Sequence, residues 1–213
     1  MSEEITGNFY LQDTFLDWCA RQAVPVIEDF GIDLLQIETA PWDRFGMNGT
    51  ICELAGGDDY VSTFLFEIPP GGQSNQLSHV YEEVVFVLEG HGSTKVELPN
   101  GQSHTFEWGP NSLFQVPLNL KYQHFNGSGS ERVRLACNND LRFIMNLFRS
   151  ERFIWENPIP FEERMGDPSY FTGEGQLKPV KPGRHQWETN FVPDISSFDL
   201  KAWDARGPGS SNL

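Results

Sequence analysis

The sequence predicts an all-β domain, a sandwich, jelly roll or barrel, with a short helix in front and an extended arm behind. Three observations carry that prediction. From about Tyr60 to Phe148, short runs rich in Val, Ile, Phe, Tyr and Thr recur at intervals of roughly 8–12 residues. Gly, Pro and Asn clusters separate them. Within the runs, apolar and polar residues tend to alternate with a period of two, as half-buried strands require.

Taken in order, "DTFLDWCARQ" (Asp13 to Gln22) reads as a short helix. Asp13 suits its N-cap, Phe15, Trp18, Cys19 and Gln22 fall on one face, and Pro25 stops it. Trp18 is expected to be a core anchor. "YVSTFLFEI" is the first strand, closed by Pro69-Pro70-Gly71-Gly72. "LSHVYEE" is expected to run extended into "EVVFVL", which Gly90 ends. "STKVEL" and "SHTFEW" flank Pro99-Asn100-Gly101 and form a hairpin. "SLFQVP", "KYQHFN", "RVRLAC" and "RFIMNLF" complete the strands. After Phe148 the chain is dense in Pro, Gly and aromatics without clear period. It reads as an arm packing Trp155, Phe161, Tyr170, Phe171, Trp187 and Phe191 on its own barrel or on another domain. The expected organisation is residues 1–58 as N-terminal helix and extension, 59–150 as the barrel, and 151–213 as arm and linker.

Composition narrows the function classes. The chain has 213 residues, enough for one packed domain with extensions, and 38% are hydrophobic, so a true core can form. The formal charge of −15, with 15 scattered Lys and Arg, argues against nucleic acid and anionic membranes as partners. No apolar run approaches the ~18 residues of a membrane span, and "MSEEITGNFY" lacks the basic and apolar regions of a secretory signal. Cys19, Cys52 and Cys137 are too few and too far apart for a disulfide framework or a C-x-x-C ligand pair. A cytoplasmic protein with free thiols is expected, Cys137 being a buried inert one.

One constellation carries chemistry. In an extended chain, Leu77, His79, Tyr81 and Glu83 share a face, and so do Tyr122, His124 and Asn126. Two strands could thus aim His79, Glu83, Tyr122 and His124 into one interior. Two histidines and a carboxylate with open positions suit Fe(II), Mn or Zn. The same groups, without a metal, would need to satisfy one another by hydrogen bonds. Glu82 should point outward. His91, His104 and His185 have no paired ligands nearby in sequence and read as solvated or structural.

The spacing of these residues resembles the cupins, small jelly-roll barrels. Their first motif, G-x5-H-x-H-x3-E-x6-G, falls on Gly71, Leu77, His79, Glu83 and Gly90, with Leu77 in place of a histidine. Their second, a glycine and then P-x-G-x2-H-x3-N, falls on Gly109, Pro117, Asn119, Tyr122 and Asn126. There Asn119 replaces a glycine and Tyr122 the metal-binding histidine. The resemblance spans Val61 to Leu147 and implies a cupin double-stranded β-helix. It also implies a metal on positions of which Leu77 cannot coordinate at all. His124 lies two residues beyond Tyr122, roughly 6–7 Å along a strand, too far to take over at an unmoved ion. A softer resemblance, carried by "VYEEVVFVLEGHGST", "FEWGPNSLFQVPLN" and "WETNFVPD", is to the N-terminal barrel of two-barrel proteins related to gentisate-type ring-cleaving dioxygenases.

Two expectations follow. In the first, the barrel has a degenerate metal site and no cofactor, and it binds a small molecule or supports assembly, as a homodimer or by pairing with another cupin barrel. In the second, a divalent metal, Fe before others, sits on His79, Glu83 and His124, with Tyr122 and His124 as catalytic groups of a dioxygenase acting on an aromatic or enolic acid. The closing "ARGPGSSNL" reads as a linker, consistent with a natural single-barrel relative or with a chain cut before a second barrel.

Overall fold

The computed structural model describes residues 13–57, 60–161, 168–182 and 184–197. The linker at the C-terminus and the acidic N-terminal decapeptide lie outside them, as does the side chain of Tyr170.

The first element among the described residues is helix α1 (Thr14–Cys19). Its N-cap is Asp13, whose carboxylate accepts the Leu16 N–H at 2.9 Å. Phe15, Trp18 and Cys19 are buried, as the face pattern predicts. Strands β1 (Val26–Asp29), β2 (Ala40–Trp42) and β3 (Met47–Leu54) follow, and then β4 (Ser62–Ile68). After an extended stretch come β5 (Glu83–Glu89), β6 (Gly92–Glu97), β7 (Ser103–Trp108), β8 (Leu113–Gln115), β9 (Lys121–Asn126) and β10 (Val133–Asn139). Helices α2 (Leu141–Phe148) and α3 (Glu151–Trp155) lead to a ribbon of β11 (Gln176–Lys181) and β12 (Arg184–Glu188), and to β13 (Phe191–Val192). Among the described residues no helix is long and apolar enough to cross a membrane.

Two sheets form the body. The first runs β1-β3-β4-β10-β5-β8-β13, with β2 also on β3. The second runs β7-β6-β9, and residues 73–77 continue it by bridging Gln73 to Phe125 and Leu77 to Tyr122. From β4 to β10 the chain passes repeatedly between the sheets, giving β4-β10-β5-β8 facing 73–77-β9-β6-β7. That order is a double Greek key, so the domain is the predicted all-β jelly roll with a short N-terminal helix and a C-terminal arm.

The facing sides of the sheets carry Val85, Val87, Val96, Phe106, Trp108, Phe114 and Leu135, all buried. An aromatic cluster continues this core toward the N-terminus. Trp42 meets Phe45 at 4.6 Å and Phe64 at 5.2 Å between ring centroids, and Trp18 packs on Trp42 at 6.0 Å. Pro99-Asn100-Gly101 forms the turn between β6 and β7 as predicted, with Gly101 at φ +84°.

Three expectations on elements are corrected. "RFIMNLF" is the helix α2, because Leu141 and Met145, one helical turn apart, are the residues it buries. "LSHVYEE" is irregular from Ser78 to Glu82, and the regular strand begins only at Glu83. The stretch before Tyr60 holds three strands besides the helix, and β3 pairs with β4 over Asn48 to Cys52. The arm lies on its own barrel: β13 pairs with β8, and Phe171 and Phe191 pack on Phe106 at 5.6 and 4.9 Å.

Candidate functional site

Strand alternation brings the predicted cluster together. β5 turns Glu83, Val85 and Val87 inward, and β9 turns Tyr122, His124 and Asn126 inward. His79 reaches the same interior from irregular backbone. That backbone is fixed on both sides: Leu77 and Tyr122 exchange N–H···O bonds of 2.8 and 2.9 Å, and the Asn119 N–H donates to the His79 carbonyl at 2.8 Å. Asn119, at the position where the motif has glycine, holds φ +59°. Asparagine is among the few side chains that tolerate this conformation. Its amide also donates to the carbonyls of Asn157 and Ile159 at 2.7 and 2.8 Å, tying the arm to the β8–β9 loop. Asn126, the motif's last residue, donates to the carbonyls of Ile68, Pro69 and Glu131 and closes the barrel end rather than touching the cluster.

Within the interior, His79 Nδ1 lies 2.9 Å from the Tyr81 carbonyl and Nε2 lies 2.8 Å from Tyr122 Oη. A carbonyl only accepts, so the network assigns the proton to Nδ1 and leaves Nε2 as the acceptor for the Tyr122 hydroxyl. Tyr122 Oη also pairs with Glu83 Oε1 at 3.3 Å. One hydroxyl proton cannot serve both neighbours. A protonated Glu83 carboxyl supplies the second, and burial pushes that carboxyl up to about 7, against the lowering effect of Tyr122. Burial likewise holds His79 down to about 4, with the Tyr81 carbonyl opposing it, and raises the Tyr122 phenol well above its ordinary range. Below about pH 7 the cluster is therefore a run of neutral groups from Glu83 through Tyr122 and His79 to the Tyr81 carbonyl. The His79 ring also stacks on Tyr81 at 3.6 Å, which fixes its plane.

His124 belongs to a second network. Its Nδ1 lies 2.8 Å from Thr94 Oγ1, which accepts the Trp108 indole N–H at 2.8 Å. Burial holds this imidazole down to about 3, and nearby His79 adds to the effect. His124 touches the first network only through its ring, 5.1 Å from that of Tyr122. Sequence reasoning missed Thr94 and Trp108. Both occupy inward positions of β6 and β7, so carrying the period of two through the hairpin would have found them.

The remaining candidates are placed elsewhere. Glu82 is exposed, and its backbone N–H is held by Asp140 at 2.7 Å. His91 and His185 are exposed, and His104 stacks on Phe171 at 6.4 Å. Cys137 is buried with its thiol pushed far up, and Cys19 and Cys52 are pushed up to about 12 and about 11, all chiefly by burial.

The cupin resemblance implies a metal, and the residues present test it. His79 uses both ring nitrogens on protein partners, and Leu77 fills the place of the first ligand with a buried side chain. Among the described residues, no three His, Cys, Asp or Glu side chains form a group that could hold an ion. In this arrangement the residues do not fit a three-ligand centre. Of the cluster's atoms, Glu83 Oε2 and Tyr81 Oη are buried without a hydrogen-bond partner.

No family model matches the chain, and no curated protein matches it. It is similar to solved structures of vicilin from Solanum lycopersicum (13% identity, 44% of this chain, 28% of that one, TM-score 0.41). It is also similar to the oxalate decarboxylase formate complex of Lactobacillus farciminis (16%, 51%, 32%, 0.42) and to a Bacillus subtilis oxalate decarboxylase mutant (14%, 54%, 30%, 0.43). The chain spans about a third of the length of these structures or less.

Proposed function

We propose that this jelly roll is a small-molecule-binding barrel whose interior is held by a protein-only hydrogen-bonded cluster where the resemblance implies a transition metal. The observation that carries the reading is His79, whose two ring nitrogens are both engaged, by Tyr81 and by Tyr122. A metal on His79 Nε2 would have to displace the Tyr122 hydroxyl. Assembly with a second barrel is compatible with this reading, since Leu54, Tyr60, Val61 and Phe143 leave apolar surface exposed. The test is metal analysis of protein purified without chelator. The reading expects far less than one Fe, Mn, Ni or Zn per chain. Near-stoichiometric metal that His79→Ala removes would overturn it.

A second reading rests on the unpartnered Glu83 Oε2. A bound cation would favour ionised Glu83, and this donor-less oxygen would then be its anchor. This would be an Fe-dependent dioxygenase with His79, Glu83 and His124 as ligands and Tyr122 beside them. Anaerobic loading with Fe(II), followed by oxygen uptake with dihydroxy aromatic acids, tests it. Uptake abolished by His124→Ala supports it; no uptake removes it.

A further inference from the structure

We propose that the cleft between the β2–β3 turn, helix α3 and the start of β9 is the binding site for a small organic carboxylate. This rests on the small-molecule reading above and gives that ligand a place and a charge. The cleft is about 260 Å³, with His79 in its wall. That is just below the ~300 Å³ at which pockets for drug-sized ligands begin, so a metabolite-sized molecule fits.

Two cations line it, Arg44 and Lys121, in a chain whose formal charge is −15. Arg44 is exposed at the rim, with its backbone and its head group both held. Asn75 donates its side-chain amide to the carbonyls of Asp43 and Arg44 at 2.9 and 3.2 Å, and its N–H to that of Phe45 at 2.8 Å. The guanidinium lies 4.0 Å over the Trp155 ring and gives one N–H to Glu151 at 2.9 Å. A guanidinium has five N–H donors, so most of its donor capacity is left for a ligand. Glu151 is shared with Arg21, at 2.7 Å. On the other side, Lys121 makes no ion pair within 4 Å among the described residues. Glu97 faces it across the β6–β9 register and is held by Gln76 at 3.1 Å and by Lys95 at 3.8 Å. The cleft lining thus carries two cations and no carboxylate, a local charge opposite in sign to that of the chain as a whole. Such a concave positive spot concentrates anions. Phe45, Leu77 and Trp155 supply apolar walls for the body of the ligand, and Ser78 adds a hydroxyl.

The test is calorimetric titration of the full chain at low salt with benzoate, with benzyl alcohol as its uncharged counterpart and with inorganic phosphate. Benzoate should bind one to one and weaken as salt is added, while the alcohol should not bind. Arg44→Gln should weaken benzoate about ten-fold, as loss of a charge-assisted bond does. Lys121→Gln, at an exposed side chain that the fold does not need, should weaken it about three-fold. No benzoate binding at tens of millimolar, or binding unchanged in both variants, overturns the proposal. Phosphate binding as well as benzoate, with the same sensitivity, overturns the carboxylate assignment. Metal content is measured on the same samples. Metal removed by His79→Ala defeats the metal-poor reading but leaves the Arg44 and Lys121 dependence untouched; failed benzoate binding without metal defeats only the cleft.

Discussion

At the scale of single residues, the buried cluster has a pH signature whose sign can be worked out. Burial raises Glu83 from 4.5 to about 7 and lowers His79 and His124 from 6.5 to about 4 and about 3. Between about pH 4.5 and 6.5 the unfolded chain therefore holds two more protons than the folded one on the histidines and one fewer on Glu83. The net of one proton makes stability rise with pH by about 1.4 kcal/mol per unit. Below about 4.5, where Glu83 is protonated in both states, the histidines act alone and the loss on acidification is steeper. From about 6.5 to 7 Glu83 acts alone and stability falls, so these three groups place the optimum near pH 6.5. Glu83→Gln should remove the falling limb and steepen the rise between pH 4.5 and 6.5. Urea unfolding at pH 5, 6.5 and 8 checks this, and parallel profiles for the two proteins would contradict it. Tyr122→Phe removes the hydroxyl shared by His79 and Glu83. It should cost about 1–3 kcal/mol, because two buried groups lose their shared partner.

At the scale of elements, the strands of the jelly roll were legible wherever a buried face alternates with an exposed one. β5, β6 and β9 do so, which is why Glu83, Tyr122 and His124 could be placed in one interior from sequence, whereas His79 reaches it from irregular backbone that the period of two does not describe. "RFIMNLF" was misread because a run of seven mostly apolar residues fits either period, and only Leu141 and Met145 together settle it. β3 escaped because it is buried on both faces over Gly49 to Glu53 and shows no alternation to read. The hydrogen bonds that divide the cluster into two networks depend on side-chain rotamers and on irregular backbone at 78–82, neither of which a spacing rule encodes. One element-scale contact invites a measurement. Arg134 of β10 is buried, pairs with Glu67 of β4 at 3.0 Å, and donates to the carbonyls of Leu34 and Ile37 at 2.8 and 3.1 Å. It pins the β1–β2 loop across the sheet. Arg134→Met should lower stability by about 3 kcal/mol in denaturant titrations, since two carbonyls lose their donor and Glu67 is left with Arg132 alone.

At the scale of the whole molecule, the arm and the N-terminal strands change what the barrel can do. The arm lays Phe171 and Phe191 on its own β7, which leaves less of it for a partner than its aromatic content suggests. The β2–β3 turn and α3 meet over the barrel to bring Arg44 and Trp155 above His79, a juxtaposition between residues more than a hundred positions apart that no local motif announces. In the metal-free cluster, His79 is a self-satisfied member of a hydrogen-bonded network. Long-range ¹⁵N–¹H correlation spectra of the imidazoles, recorded across pH on protein purified without chelator, measure this directly. The network predicts that the His79 ring is neutral, with its proton on Nδ1, from pH 8 down to about pH 4. A ring that takes up its proton near 6.5, carries the proton on Nε2, or shows nitrogen shifts altered by a bound metal would contradict it.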